Sequence, residues 1–129
     1  MQKVLFVCLE NSCRSQMAEA FAKIHGKIIL EAYSAGSRAS GKVNEKAIKS
    51  MQEVGYDLKT HHSKSLDEIP DVEYDFAITM GCGDECPFVK AKQRRDWTIP
   101  DPKHLNESDF NEVRNIIEKK ILSLIQEIS

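Results

Sequence analysis

The apolar positions of this chain come in blocks whose period changes along its length. Val4 to Val7 is an unbroken apolar run, so Lys3–Val7 is predicted to be a buried strand. Met17-Ala18-Glu19-Ala20-Phe21-Ala22 switches to a helical period, giving a helix over Arg14–His25 that Gly26 is placed to end. A second strand is predicted over Lys27–Ser34, closed by Ala35-Gly36, and residues 37 to 42 form a polar loop. The pattern then predicts a helix over Val43–Val54 stopped by Gly55, a turn over Tyr56–Ser63, and a short helix over Leu66–Ile69 before Pro70. Tyr74–Thr79 is a third strand, Gly81–Pro87 a loop, and Trp97-Thr98-Ile99 a short fourth strand. In the last segment Phe110, Val113, Ile117, Ile121, Leu124 and Ile128 recur at helical spacing behind a cap at Ser108. Alternating strands and helices favour an α/β fold: one three-layer domain spanning residues 1–129, with a four-stranded parallel sheet and helices on both faces.

Such sheets bind ligands beyond the carboxyl ends of their strands. Cys8 lies at that end of the first strand, with Arg14 following after five intervening residues and Ser15 next. Strand, tight loop and helix start gather backbone N–H groups around one point, a nest for a tetrahedral oxyanion. The segment Leu9, Glu10, Asn11, Ser12, Cys13, Arg14 and Ser15 is therefore the expected anion-binding loop. Its field also favours the thiolate of a sulfur at its mouth, and Arg14 offers a planar fork for two oxygens. The pattern points to a cysteine nucleophile that attacks a phosphate-like anion. The alternative is a buried Cys8 with Arg14 on a solvated helix face.

Size and charge narrow the frame. At 129 residues, with 18 basic and 20 acidic side chains and a net charge of −2, the chain gives no reason to expect nucleic acid. It holds no apolar run of about 18 residues and no basic-then-apolar leader, so a soluble cytoplasmic protein without a membrane partner is expected. The four cysteines, Cys8, Cys13, Cys82 and Cys86, are then read as chemical and not as a disulfide scaffold. Cys82 and Cys86 flank three residues in a glycine-bearing loop that can bend to close a small disulfide. A four-thiolate zinc site is the competing account, and two inert loop cysteines a third. Metal binding leaves Arg14 without a role, so no metal is expected. Pro100-Asp101-Pro102 holds one carboxyl group between two rigid residues, suited to a general acid or to an ordinary turn. His61 and His62 are expected to be solvated, the basic run Lys90, Lys92, Arg94 and Arg95 to be a solvated face that can dock an acidic thiol protein, Trp97 to be packed, and Glu10 to point away from the anion.

Val7-Cys8-Leu9-Glu10-Asn11-Ser12-Cys13-Arg14-Ser15 resembles the phosphate-binding loop of the low-molecular-weight protein tyrosine phosphatase superfamily, and Ser34-Ala35-Gly36 and Asp101-Pro102 match it as well. Within it the whole chain is similar to the arsenate reductases of phosphatase-like type. Gln16-Met17-Ala18-Glu19, His62-Ser63-Lys64 and the Cys82/Cys86 pair carry that likeness. The phosphatases usually have Pro where Gln16 stands and an aromatic residue where this chain has Lys103.

The resemblance implies reduction of arsenate to arsenite, with phosphate or sulfate as analogues and some phosphatase activity. It implies that Asn11 holds the loop, Ser15 bonds the Cys8 thiolate, Cys8 attacks arsenic and Asp101 protonates the departing hydroxyl. Cys82 then attacks Cys8 and Cys86 attacks Cys82, while Cys13 packs the loop. No bound cofactor is implied, only an external thiol reductant: thioredoxin, or glutathione with glutaredoxin, or a similar small thiol. Thioredoxin-coupled members space the second and third cysteines more widely than here. A phosphatase, or a zinc-binding or redox-sensing module without turnover, are the other readings. Mobility of the Cys82 loop is expected, since both of its sulfurs must reach a partner.

Overall fold

The computed structural model describes residues 1–81 and 89–129. Four strands form one parallel sheet in the order β2-β1-β3-β4: β1 is Gln2–Cys8, β2 Leu30–Gly36, β3 Tyr74–Thr79 and β4 Ala91–Asp96. The helices are α1 Arg14–His25, α2 Glu45–Gln52 and α3 Glu107–Ile128. The α/β fold and the four-stranded parallel sheet expected from the sequence are present.

The period-2 alternation of a strand sorts β1 between two faces. Val4, Phe6 and Cys8 join the larger core with Met17, Phe21, Met51, Phe110, Val113, Ile117 and Ile121, so α1, α2 and α3 all contribute to that face. Leu5 and Val7 join a smaller cluster with Ala35 and Tyr74, against which Leu66 and Ile69 pack. Among the described residues this second face is covered by a 3₁₀ turn at Leu66–Glu68 and by loops. Full burial of one large apolar side chain such as Phe6 or Ile117 is worth about 1.5–3 kcal/mol, so the helical face carries most of the stabilisation.

Several boundaries differ from the sequence reading, among them β2, which runs Leu30–Gly36 and not Lys27–Ser34. The fourth strand is Ala91–Asp96 and not Trp97–Ile99. Its Lys-Gln-Arg-Arg run hides it, because an edge strand with a solvated face needs few apolar residues. Arg95 lays its guanidinium 4.9 Å from the Phe76 ring centroid and pairs with Glu127, so the polar run is attached to the sheet through its side-chain stems. Trp97 is packed as expected, its ring 6.0 Å from that of Phe6. The last helix is capped by Asn106, whose Oδ1 accepts from the Asp109 N–H at 2.8 Å, and not by Ser108. Asn44 likewise starts α2 later than predicted, accepting from the Lys46 N–H.

Candidate active site

β1 ends at Cys8 beside Gly36 of β2, and α1 begins at Arg14. Between them the loop turns on Asn11, at φ 51°, the one non-glycine residue with positive φ among the described residues. Asn tolerates this left-handed geometry better than most side chains.

The loop's carbonyls are all engaged on its outer side. Leu9 O accepts from Arg38 N at 2.8 Å, Glu10 O from Ser40 N at 3.0 Å and from Ser63 Oγ at 3.0 Å, Asn11 O from Gln16 Nε2 at 3.1 Å, and Ser12 O from Asn44 N at 3.1 Å. No peptide among the described residues is cis, and a trans peptide directs its N–H opposite to its C=O. Four tied carbonyls therefore turn the N–H groups of Glu10, Asn11, Ser12 and Cys13 toward the inner side, the arrangement an oxyanion needs. Gly36 makes room for this crossing. A Cβ there would stand 2.7 Å from Leu9 O, 2.8 Å from Asn11 N and 2.9 Å from Glu10 C, all backbone atoms.

A directed chain of hydrogen bonds runs beneath the loop to Cys8. Gln16 Oε1 can only accept, so the proton of His61 lies on Nδ1, which donates to it at 2.9 Å. His61 Nε2 then accepts from Tyr56 OH at 2.6 Å. Gln16 Nε2 donates to Asn11 Oδ1 at 2.9 Å and Asn11 Nδ2 to Ser15 Oγ at 2.7 Å. Ser15 Oγ also lies 2.9 Å from Cys8 Sγ; either atom can donate while the sulfur is a thiol, and the serine is the donor when it is a thiolate. Gln16 Nε2 also meets His62 O at 2.9 Å, and Lys64 N donates to Asn11 Oδ1 at 2.9 Å, so the turn of residues 61–64 holds the loop from below.

Burial sets the charges here. It pushes the His61 ring down to about 4, with Glu19 opposing and Lys23 and Lys64 assisting, so the ring is neutral in the chain just described. Burial alone would raise the Glu19 carboxyl, but hydrogen bonds from Lys23 and Ser34 and the charge of Lys64 hold it below the ordinary value. The expectation that His61 is solvated is therefore overturned, for its side chain is only 4% exposed. Cys13 is also buried, which pushes its thiol up to about 12. That suits packing and not nucleophilic attack.

At the mouth, Cys8, Leu9, Glu10, Ser12, Cys13, Arg14 and Asp101 line one pocket. Arg14 is buried; its Nη1 donates to Ile99 O at 3.0 Å and its Nη2 lies 3.8 Å from Asp101 Oδ2. The alternative of a solvated Arg14 does not hold. Asp101 is half exposed and accepts from the Lys103 N–H at 3.1 Å. Glu10 turns its carboxylate to Lys103 Nζ, at 2.9 and 3.1 Å, away from the loop's inner side as expected. The chain leaves β3 at Gly81, φ 84°, where a Cβ would stand 2.5 Å from Arg14 Nη1. Cys82 and Cys86, and the expected mobility of their loop, lie outside the described residues. Sequence reasoning assigned no role to Tyr56 or His61, read Gly36 as the close of the second strand and part of a motif, and read Gly81 as a bend in the cysteine loop; the closeness of Gly36 to residues 9–11 and of Gly81 to Arg14 comes from the fold.

The family described as low molecular weight phosphotyrosine protein phosphatase matches residues 3–129. The chain is 38% identical over 132 residues to the "Glutaredoxin arsenate reductase" of Synechocystis sp., with all of both chains covered. It is 40% identical over 131 residues to "Arsenate reductase 1" of Staphylococcus epidermidis, covering 94% of this chain and 95% of that one. The solved structure of an arsenate reductase in the phosphate-binding state superposes with a TM-score of 0.88 at 37% identity, covering the whole of both chains. With a family model matched over residues 3–129 and relatives alike along the whole chain, this chain belongs to the low-molecular-weight phosphotyrosine protein phosphatase family.

Proposed function

We propose that this protein reduces arsenate to arsenite, with Cys8 as nucleophile and Cys82 and Cys86 carrying off the oxidation. The observation that carries the reading is the donor chain that ends on Cys8 Sγ inside a nest closed by Arg14. A serine proton aimed at sulfur stabilises a thiolate, and inward N–H groups with a guanidinium receive an oxyanion. The full-length likeness to arsenate reductases selects arsenate among the oxyanions.

The Cys8 thiolate forms a bond to arsenic and expels hydroxide, which leaves as water with a proton from Asp101. The Cys82 thiolate attacks the Cys8 sulfur. A disulfide forms, the sulfur–arsenic bond breaks, and its electron pair stays on arsenic, which departs as arsenite. Cys86 then attacks Cys82 and releases Cys8 as thiolate. An external thiol, thioredoxin or glutathione with glutaredoxin, reduces the remaining disulfide in the cytoplasm. Cys13, its thiol pushed up to about 12 by burial, stays out of the relay.

Thiol-dependent arsenate turnover tests this. Cys8→Ser is expected to abolish it and Cys82→Ser to reduce it at least about 100-fold. Full activity in Cys82→Ser removes the relay. Fast p-nitrophenyl phosphate hydrolysis that ignores the loss of Cys82 replaces the reading with a phosphatase.

A further inference from the structure

Glu10 poses a problem that its position alone does not solve: a carboxylate stands on a loop built to receive an anion. Its oxygens lie 2.9 and 3.1 Å from Lys103 Nζ, and hydrogen bonding to Glu10 raises the Lys103 ammonium above its ordinary value. The same residue uses its backbone N–H to hold Asp101 Oδ1 at 3.1 Å. Lys103 is itself anchored from α2, since Lys46 Nζ donates to Lys103 O at 3.4 Å and to Leu105 O at 2.8 Å. Lys103 therefore joins three pieces of the site: the anion loop through Glu10, the Asp101 turn through its own backbone, and α2 through its carbonyl.

We infer that Lys103 is a positioning residue, which cancels the Glu10 charge that would otherwise repel the substrate and ties the Asp101 turn to the anion loop. The pair stands at the rim, where Glu10 lines both the Cys8 pocket and the outer groove that contains Lys103. A negative charge at the rim of an anion pocket weakens anion binding when unpaired and is nearly silent when paired. The inference rests on the anion-loop reading, though not on arsenate being reduced.

Inorganic phosphate affinity, measured by calorimetry, is the readout that does not depend on turnover. K103M is expected to weaken phosphate about tenfold, by leaving Glu10 uncompensated. E10Q/K103M, which removes both charges, is expected to return to within about threefold of the parent. The charge-exchanged E10K/K103E restores the pair and is expected to bind as the double variant does or better. A merely structural role weakens the two variants alike, since the double variant loses as many contacts as the single one. In arsenate turnover K103M raises KM, E10Q/K103M restores it, and kcat stays reduced in both because the Glu10–Lys103 link between the anion loop and the Asp101 turn is gone, although the Lys103 N–H still holds Asp101. Parental phosphate affinity in K103M, or an affinity in E10Q/K103M as poor as in K103M, overturns the inference. Absence of arsenate turnover in the parent with the phosphate pattern intact overturns the proposed reaction and leaves this inference standing.

Discussion

Beneath Cys8 the loop rests on neutral hydrogen bonds among buried side chains, whereas at its mouth the contacts are ion pairs with at least one partly exposed partner. The floor, from Tyr56 through His61, Gln16, Asn11 and Ser15, contains no net charge on any link. The rim joins Glu10 to Lys103 and sets Arg14 near Asp101. The difference shows how one short loop meets two demands. A floor of neutral, geometrically fixed bonds holds strained backbone in place at any salt concentration, and bonds of this kind are costly to leave unmade. A charged rim steers and discharges an ionic substrate, and it is screened and adjustable.

Breaking the floor carries the largest expected effect. Gly36→Ala puts a methyl within 2.9 Å of three backbone atoms of residues 9–11, so the loop must shift as a body. A stability loss of about 2–3 kcal/mol in urea unfolding is expected, with loss of phosphate binding. Gly81→Ala bears on Arg14 instead, since its Cβ meets Nη1 at 2.5 Å with φ at 84°. Its stability cost is smaller, about 1–2 kcal/mol, but phosphate affinity is expected to fall at least about tenfold. Parental phosphate binding in Gly36→Ala would show that the crossing at β2 does not shape the nest.

The next effect sharpens the claim that the floor is neutral. Folded His61 takes a proton only near pH 4, whereas an unfolded histidine does so near 6.5. Between these values the unfolded chain binds more protons, so stability is full above pH 6.5 and falls as the pH drops toward 4, by at most about 3 kcal/mol. Glu19, held low, adds its own loss in the same direction only at the acid end. Urea unfolding between pH 7 and pH 5 is expected to show this slope in the parent and a flatter one in His61→Gln. Equal slopes would mean that the ring is not held neutral. The smallest effect belongs to the rim: raising salt from about 0.05 to 0.5 M should shrink the difference in phosphate affinity between K103M and E10Q/K103M while leaving the floor's unfolding midpoint nearly unchanged.

The comparison also separates what the sequence discloses from what it conceals. That Cys8, the loop after it, Arg14 and Ser15 form one cluster was legible because they lie within eight residues, and strand-loop-helix geometry fixes their mutual placement. The central strands β1 and β3 were legible from apolar blocks, β2 with its start placed three residues early, and α1 from its helical period. The supports were not. Gln16 meets His61 across 45 positions and Glu10 meets Lys103 across 93, and side chains so far apart leave no periodic trace. His61 read as solvated because a histidine pair in a turn is usually so; its burial comes from Tyr56 and Glu19, which no local pattern links to it. β4 was missed because an edge strand with a polar face does not need the apolar residues by which strands are recognised. Ser108 was the expected cap and Asn106 is the observed one; both types cap helices, and the bond to Asp109 decides between them.

The most direct measurement of the central claim is a single turnover. Fully reduced protein, freed of small thiols, is mixed with excess arsenate, and the arsenite released is counted while the disulfides are mapped by mass. The account predicts about one arsenite per chain and a Cys82–Cys86 disulfide, with no release from Cys8→Ser or Cys82→Ser. One arsenite per chain from Cys82→Ser, or a mapped product in which neither Cys8 nor Cys82 has been oxidised, would contradict it.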